Sequence, residues 1–222
     1  MKIGILGGSF NPAHQGHINI SNLALKKMHL DQIWWIPTLF NPLKDKSVYS
    51  SLDLRIKECK SISSTHPKIF VKKYPEIFTF NLIERLEKIP GNNQFYFIMG
   101  ADSFINFHKW KNFSSLIDKV YFVIFSRDNF FHKISKTKAW EIYRAKKFYS
   151  QSSNSIVNNL YPTNSSNAVI SHSNAIINDY LNCRFKQFSN RKLPKFFIFP
   201  SKNFNISSSK IRQQLSTKVI YS

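Results

Sequence analysis

Two histidines three residues apart, His14 and His17, stand just after a glycine pair, Gly7-Gly8, in the opening run MKIGILGGSFNPAHQGH. Side chains at i and i+3 share one face of a helix, so two imidazoles in a first helical turn face the same side. A glycine turn between strand and helix lets backbone N–H groups approach phosphate oxygens, and the helix N-terminus adds a favourable dipole. As donors, the two rings could then hold the charge that develops on a transferring phosphoryl group. Out of context the pair would read equally as metal ligands or a surface coincidence; its place after the glycine turn favours phosphate chemistry. The turn is not a P-loop, which ends in Gly-Lys-Ser/Thr, nor a dinucleotide fingerprint, which needs three spaced glycines.

Such a turn needs a strand before it and a helix behind it. Ile3, Ile5 and Leu6 predict a buried strand over 2–6, and Ile18, Leu23, Leu25 and Met28 fall near helical spacing over 14–28. A second strand is expected over 31–37, closed by Pro37, then a loop over 38–48 holding Asn41-Pro42-Leu43-Lys44. Ser50 or Ser51 can cap a helix that runs to about 63 through Leu52, Leu54, Ile56 and Cys59. A short strand over 68–73, a helix over 79–88 and a strand over 94–99 ending at Gly100-Ala101-Asp102 come next. Two short helical pieces around Trp110 lead to a strand over 119–125. Beyond Arg127 the pattern predicts a basic helix over 136–149, a last strand over 196–200 and a serine-capped helix start at 206–212.

Apolar strands without polar alternation, separated by helices, predict an α/β fold: a doubly wound, mostly parallel sheet with helices on both faces. Ligands on such sheets bind beyond the carboxyl ends of the strands, near the switch in strand order. Residues 7–17, 38–44, 100–102 and 126–127 all fall at such ends. A single domain over 1–222 is expected, with a Ser/Asn-rich, uncharged insertion around 148–178.

Hydrophobic residues make up 42% of the chain, enough for a sizeable core. No apolar run approaches the ~20 residues of a membrane span. The chain opens on a strand rather than a secretory leader, so a cytoplasmic protein is expected. Cys59 and Cys183 are isolated and lack metal-ligand spacing, which predicts free thiols and no metal site of the protein's own. Lys and Arg number 32 against 12 Asp and Glu, for a net charge of +20. That excess is uneven: 16 basic and 9 acidic groups in 1–125, but 16 and 3 in 126–222. A basic nucleic-acid-binding protein is the reading of a different class. It is disfavoured because no Arg-rich run or regular aromatic ladder accompanies the charge. Abundant Lys, Asn, Ile, Phe and Tyr beside only 6 Gly also fit an AT-rich coding bias.

Three separated motifs, in order, carry a resemblance. Gly7-Gly8-Ser9-Phe10-Asn11-Pro12-x-His14-x-Gly16-His17 resembles the signature of the nucleotidyltransferase superfamily with the (H/T)xGH motif, in the form found in bacterial nicotinate-nucleotide adenylyltransferases. Gly100-Ala101-Asp102-Ser103, followed by Trp110, is similar to that family's G-A-D-S…W segment. Ile206-Ser207-Ser208-Ser209-Lys210-Ile211-Arg212 is similar to its I-S-S-T-x-I-R signature, with serine for threonine.

The resemblance implies a Rossmann-like enzyme that joins ATP and nicotinate mononucleotide and releases pyrophosphate, in NAD biosynthesis. It implies that His14 and His17 contact the ATP phosphates and that Ser9 orients the attacking phosphate. Gly7, Gly8, Phe10 and Gly16 would cradle phosphate through their backbone, with Lys44, Ser207, Ser208 and Arg212 as further phosphate ligands. Thr79, Asp102 and Trp110 would receive the nicotinate nucleotide. Mg²⁺ would accompany ATP, held mostly by water and substrate oxygens. Neither a monomer nor a homo-oligomer is favoured. A phosphopantetheine adenylyltransferase is the nearest rival, but that branch usually has threonine where His14 stands and lacks the Gly-Ala-Asp-Ser…Trp segment. This chain departs from the family at Leu43, where a loop histidine is usual, and at Phe78-Thr79-Phe80-Asn81-Leu82, which lacks an acid and a second threonine. It departs again after Arg127, where Asp128-Asn129 replaces Pro-Gly.

Overall fold

A computed structural model describes residues 1–40, 49–126, 131–142, 196–200, 208–209 and 211–213. Six strands form one sheet: β1 (Lys2–Gly8), β2 (Gln32–Pro37), β3 (Ile69–Val71), β4 (Gln94–Gly100), β5 (Tyr121–Ser126) and β6 (Phe196–Pro200). The helices between them are α1 (Gln15–Met28), α2 (Leu52–Ser63), α3 (Thr79–Leu86), α4 (Ala101–Ile105), α5 (Phe113–Lys119) and α6 (Phe131–Ser135), with a 3-10 turn at Phe107–Lys109. All neighbouring strands pair in parallel, in the order β3-β2-β1-β4-β5-β6. The chain divides into two compact units, Met1–Arg144 with Lys195–Ser222, and Ala145–Pro194; the second lies outside the described residues.

Parallel strands covered on both faces must be apolar between their ends, and these are, with Lys2, Gln32, Gln94 and Ser126 confined to terminal positions. One face carries Ile3, Ile5, Trp34, Phe97 and Phe122, packed under Leu82 and Leu86 of α3, Phe104 of α4 and Leu116 of α5. On the other face Trp35, fully buried, donates through Nε1 to Ser21 Oγ of α1 at 2.8 Å. The expected doubly wound sheet with helices on both faces is what forms. Strand order reverses between β1 and β4, so the chain leaves those two strands in opposite directions and opens a crevice at their carboxyl ends. Register fixes the rim of that crevice: Leu6 pairs with Ile98, two residues short of the ends of both strands.

Several boundaries differ from the sequence pattern. The third strand is shorter than 68–73, and the fifth begins at Tyr121 because Lys119 still closes α5. Ala101 and Asp102, expected at the end of the fourth strand, belong instead to the first turn of α4. Residues 138–142 are helical as expected of 136–149, and the remainder of that segment lies outside the described residues. The largest difference is in α2. Its buried stripe is Arg55, Cys59 and Ser63, while Leu54 is exposed. An arginine displaces leucine from the inner face because carbonyl oxygens, not carbons, meet it there.

The β1 backbone packs closely against its neighbours at Gly4. A Cβ there would meet Ile33 Cδ1 and stand 2.8 Å from Ile98 Cδ1 and 2.9 Å from Leu30 Cδ1. Gly4→Val is expected to lower the unfolding free energy by roughly 1–3 kcal/mol, the scale of overpacking a close-packed core. Denaturant titration checks it, and an unchanged midpoint would show that the strand relaxes freely.

Candidate active site

The turn from β1 into α1 supplies the two histidines. His14 is the N-cap of α1, in an extended conformation, and its Nδ1 accepts from Gly16 N–H at 3.1 Å. His17 Nδ1 accepts from His14 N–H at 3.1 Å, so the two rings close a reciprocal capping box. A backbone N–H only donates, so both Nδ1 atoms present lone pairs. In each neutral ring the proton is therefore on Nε2, and both imidazoles are N–H donors through that atom. The rings lie 4.0 Å apart between centroids, tilted by 37°.

Three buried groups hold His17. Phe10 packs on its ring at 4.6 Å and Trp35 meets its edge at 5.9 Å. Ser21, held by Trp35, donates to the His17 carbonyl at 2.8 Å. Phe10 itself is buried in the left-handed region, φ 44°, stacked on Trp35 at 5.1 Å. A bulky residue there costs on the order of 1–3 kcal/mol and persists only where packing determines it. Burial, and next the neighbouring His14, lower the His17 pKa to about 3, against a weaker opposing effect of the His14 backbone bond. His17 is thus neutral at physiological pH.

The far motif closes over the same turn. Ser208 Oγ donates to the Pro12 carbonyl at 2.9 Å, and Arg212 Nη1 donates to the Asn11 carbonyl. Arg212 Nη2 reaches Ser209 Oγ at 3.3 Å. The sequence-predicted site residues therefore converge from both ends of the chain. Gly7 and Gly8 end β1, and the hydroxyl of half-buried Ser9 bonds no described group. Gly16's N–H is taken by His14. Lys44, Leu43, Arg127 and Ser207 lie outside the described residues.

Asp102 is exposed in the first turn of α4, at the end of β4, across the strand-order switch. Its carboxylate lies over Gly100, where a Cβ would collide with Oδ1. The helix cap is Gly100, so Asp102 stands inside the first turn and does not cap it. Trp110 is half-buried, with its ring edge-on to Phe97 at 5.8 Å and to Phe107 at 5.4 Å. Thr79 is the half-buried first residue of α3. Beside it Pro75, Glu76, Ile77, Phe78 and Asn81 line a groove, and Lys111 Nζ lies 4.8 Å from the Phe78 ring centre. Segment 75–81 and the Trp110 loop are therefore neighbours. Among the described residues, no group of three or more His, Cys, Asp or Glu is placed to hold a metal ion.

Arg55 is the site residue the sequence pattern misses. It is 1% exposed, and its guanidinium gathers carbonyls from three segments. Nη1 donates to Ser9 O at 2.6 Å and to Thr38 O at 2.8 Å, Nη2 to Leu39 O at 2.8 Å, and Nε to Ser50 O at 3.0 Å. Asn11, also buried, accepts from Ser50 N–H at 3.2 Å through Oδ1. The available signal was the i, i+4, i+8 spacing of Arg55, Cys59 and Ser63, which outlines a second, polar-edged face of α2.

A doubly wound parallel sheet with donor imidazoles on its first crossover turn defines a Rossmann-like nucleotidyltransferase. The chain belongs to the cytidylyltransferase-like family, whose model matches residues 5–214. It is 44% identical over 140 residues to a probable nicotinate-nucleotide adenylyltransferase of Pelagibacter ubique, covering 61% of this chain and 77% of that protein. A protein of the same description from a Ruegeria species is 36% identical over 155 residues, 68% of this chain and 78% of its own. The fold matches that of Plasmodium falciparum nicotinic acid mononucleotide adenylyltransferase complexed with NaAD, with a TM-score of 0.60 at 18% identity, over 96% of this chain and 82% of that one. No described helix is long and apolar enough to cross a membrane.

The lowered pKa of His17 has a sign that can be checked. As pH falls below about 6.5, the unfolded chain binds the proton before the folded one does. Stability associated with this ring is full above that pH and is lost as pH falls toward about 3. Nuclear magnetic resonance should find the folded His17 ring neutral between roughly pH 8 and 5, the range in which an ordinary histidine titrates. An inflection within that range would contradict the burial argument.

Proposed function

We propose that the chain is a nicotinate-nucleotide adenylyltransferase. It transfers AMP from ATP to the phosphate of nicotinate mononucleotide, giving nicotinate adenine dinucleotide and pyrophosphate in NAD biosynthesis. The observation that carries this is the pair of imidazoles, both with donor Nε2–H groups, on the β1–α1 turn at the strand-order switch. The names borne by its relatives at 36–44% identity supply the substrates.

In this reaction a phosphate oxygen of the mononucleotide attacks the α-phosphorus of ATP in line, and the bond from that phosphorus to the bridging oxygen of the β-phosphate breaks. No covalent enzyme intermediate is needed, so catalysis is positioning and charge stabilisation. His14 and His17 donate to the ATP phosphates as charge shifts toward pyrophosphate. Ser9, whose hydroxyl has no described partner, orients the attacking phosphate. The backbone at Gly7, Gly8 and Phe10 lines the phosphates; Gly16 acts through His14, to which its N–H donates, and Lys44, Ser207, Ser208 and Arg212 serve as further phosphate ligands. Asp102 accepts from a ribose hydroxyl, while Thr79 and Trp110 receive the pyridine end.

The donor set around the turn is imidazole N–H, hydroxyl and amide, without a carboxylate cluster among the described residues. With such a set, Mg²⁺ accompanying ATP would be held mostly by water and substrate oxygens, and would supply neutralisation of the phosphate charge. Buried Cys59, a free thiol pushed up to about 12 chiefly by burial, is compatible with a reducing cytoplasm.

Incubating the protein with ATP, Mg²⁺ and nicotinate mononucleotide should yield the dinucleotide and pyrophosphate, with none released from ATP alone. Absence of product with both the nicotinate and the nicotinamide mononucleotide would overturn the proposal. In the same assay His17→Ala should lower kcat by at least ~10²-fold, the scale of removing one preorganised donor. Trp110→Ala should raise KM for the mononucleotide more than KM for ATP. Equal effects on both would make Trp110 a core residue alone.

A further inference from the structure

Arg55 has no assigned part in the reaction, and its surroundings are unusual for a buried arginine. Removing a guanidinium from water costs several kcal/mol unless its hydrogen bonds are satisfied. Here all four bonded acceptors are neutral backbone carbonyls, at Ser9, Thr38, Leu39 and Ser50. Tyr49 lies under the guanidinium, 5.4 Å from it. A group needed only to fill space on α2 would be apolar. One that takes carbonyls from the β1–α1 turn, the loop after β2 and the entry to α2 fixes those three segments against each other.

The Ser9 bond, at 2.6 Å, is the shortest of the four. Ser9 C=O belongs to the same planar peptide as Phe10 N–H. That peptide is trans, since the only cis bond recorded among the described residues is Asn11-Pro12. In a trans peptide C=O and N–H point in opposite directions. With its carbonyl drawn to Arg55, the peptide aims Phe10 N–H away from Arg55. No described group accepts from Phe10 N–H, although Phe10 is buried. A carbonyl in a charge-assisted bond also polarises its own amide and makes that N–H a stronger donor.

We propose that Arg55 is a positioning residue, which orients and polarises the Ser9–Phe10 peptide so that Phe10 N–H is presented to the transferring phosphate, and which locks that peptide to the loop after β2. This rests on the adenylyl-transfer function above and deepens it. Arg55 touches no substrate; it acts through one peptide group. Ground-state binding of ATP and mononucleotide is spread over many contacts, whereas a donor aimed at the transferring phosphate matters most as charge develops. Loss of Arg55 should therefore appear in kcat rather than in KM.

The test compares the full chain with Arg55→Ala, Arg55→Met and Arg55→Lys, measuring kcat, KM for both substrates and thermal midpoint. Arg55→Ala should lose kcat by about 30-fold, with each KM within about 3-fold, as when a transition-state interaction is removed. Guanidinium ion at low, non-denaturing concentration should restore part of that kcat in Arg55→Ala. It should not do so in Arg55→Met, whose side chain fills the space. The proposal is overturned if folded Arg55→Ala keeps kcat within about 3-fold of wild type, if the loss lies in KM, or if guanidinium rescues neither variant or both alike. Should Arg55→Ala fail to fold, Arg55→Lys decides. It keeps the charge but not the fork, and a kcat loss of at least ~5-fold at unchanged KM supports the proposal, while unchanged kcat overturns it. A wild-type protein inactive with both mononucleotides would instead overturn the adenylyl-transfer function and leave Arg55 out of the matter.

Discussion

Two backbone N–H groups, those of His14 and Gly16, decide which nitrogen of each imidazole is left as a donor. The first amides of any helix lack an intrahelical acceptor and must find one elsewhere. Most helices meet that need with serine, threonine, aspartate or asparagine. Here two imidazole nitrogens meet it, and each ring is left with its other nitrogen as a donor. Aspartate at the cap would serve the helix better, yet it would place an anion where the proposed reaction brings phosphate. The chain accepts a weaker cap, and the cap itself specifies the tautomer.

A specified tautomer is useful only if the rings are held still, and the holding is done from three directions. Beneath the turn, Phe10 and Trp35 pack on His17, while Ser21 ties Trp35 to the carbonyl of that histidine. Alongside, Arg55 gathers Ser9 with the loop after β2. Above, Ser208 and Arg212 bond the carbonyls of Pro12 and Asn11. Arg212 and Ser208 thus brace the turn through its peptide oxygens, a contact compatible with a second role toward phosphate because each carries further lone pairs or N–H groups. The turn joins residues nearly two hundred positions apart in the chain, so its conformation depends on the sheet being complete out to β6.

Most of this frame is legible in sequence because it follows from local patterns. Apolar strands of period one, glycine at a strand end and two histidines at helical spacing each have a single-residue cause that survives without tertiary context. Arg55 was not legible, because a charged residue between Leu54 and Ile56 reads as the solvent side of a helix. Only the carbonyls of three distant segments reverse that, and backbone carbonyls leave no trace in residue type. The bracing by Ser208 and Arg212 was hidden for the same reason: the motif announces anion-binding residue types, but their contacts here are to main-chain oxygen. Asp102 illustrates the opposite limit. Its position at the end of β4 follows from the strand pattern, yet its side chain leaves the cap to Gly100.

A site for phosphoryl chemistry on a chain with a net charge of +20 could have been built from cations alone. At its centre it is not. His17 is kept neutral by burial, and the buried guanidinium of Arg55 meets the turn at a peptide oxygen, that of Ser9. Neutral N–H donors fixed in place gain strength as charge develops on the phosphate, because their dipoles need no reorganisation. A full positive charge in the same position would bind the triphosphate and the departing pyrophosphate tightly as well, and binding that is equal in ground and transition states does not raise kcat. Cations at the periphery then serve to attract anionic substrates. The division of labour is one of position: exposed charge for attraction, oriented N–H dipoles on the turn itself.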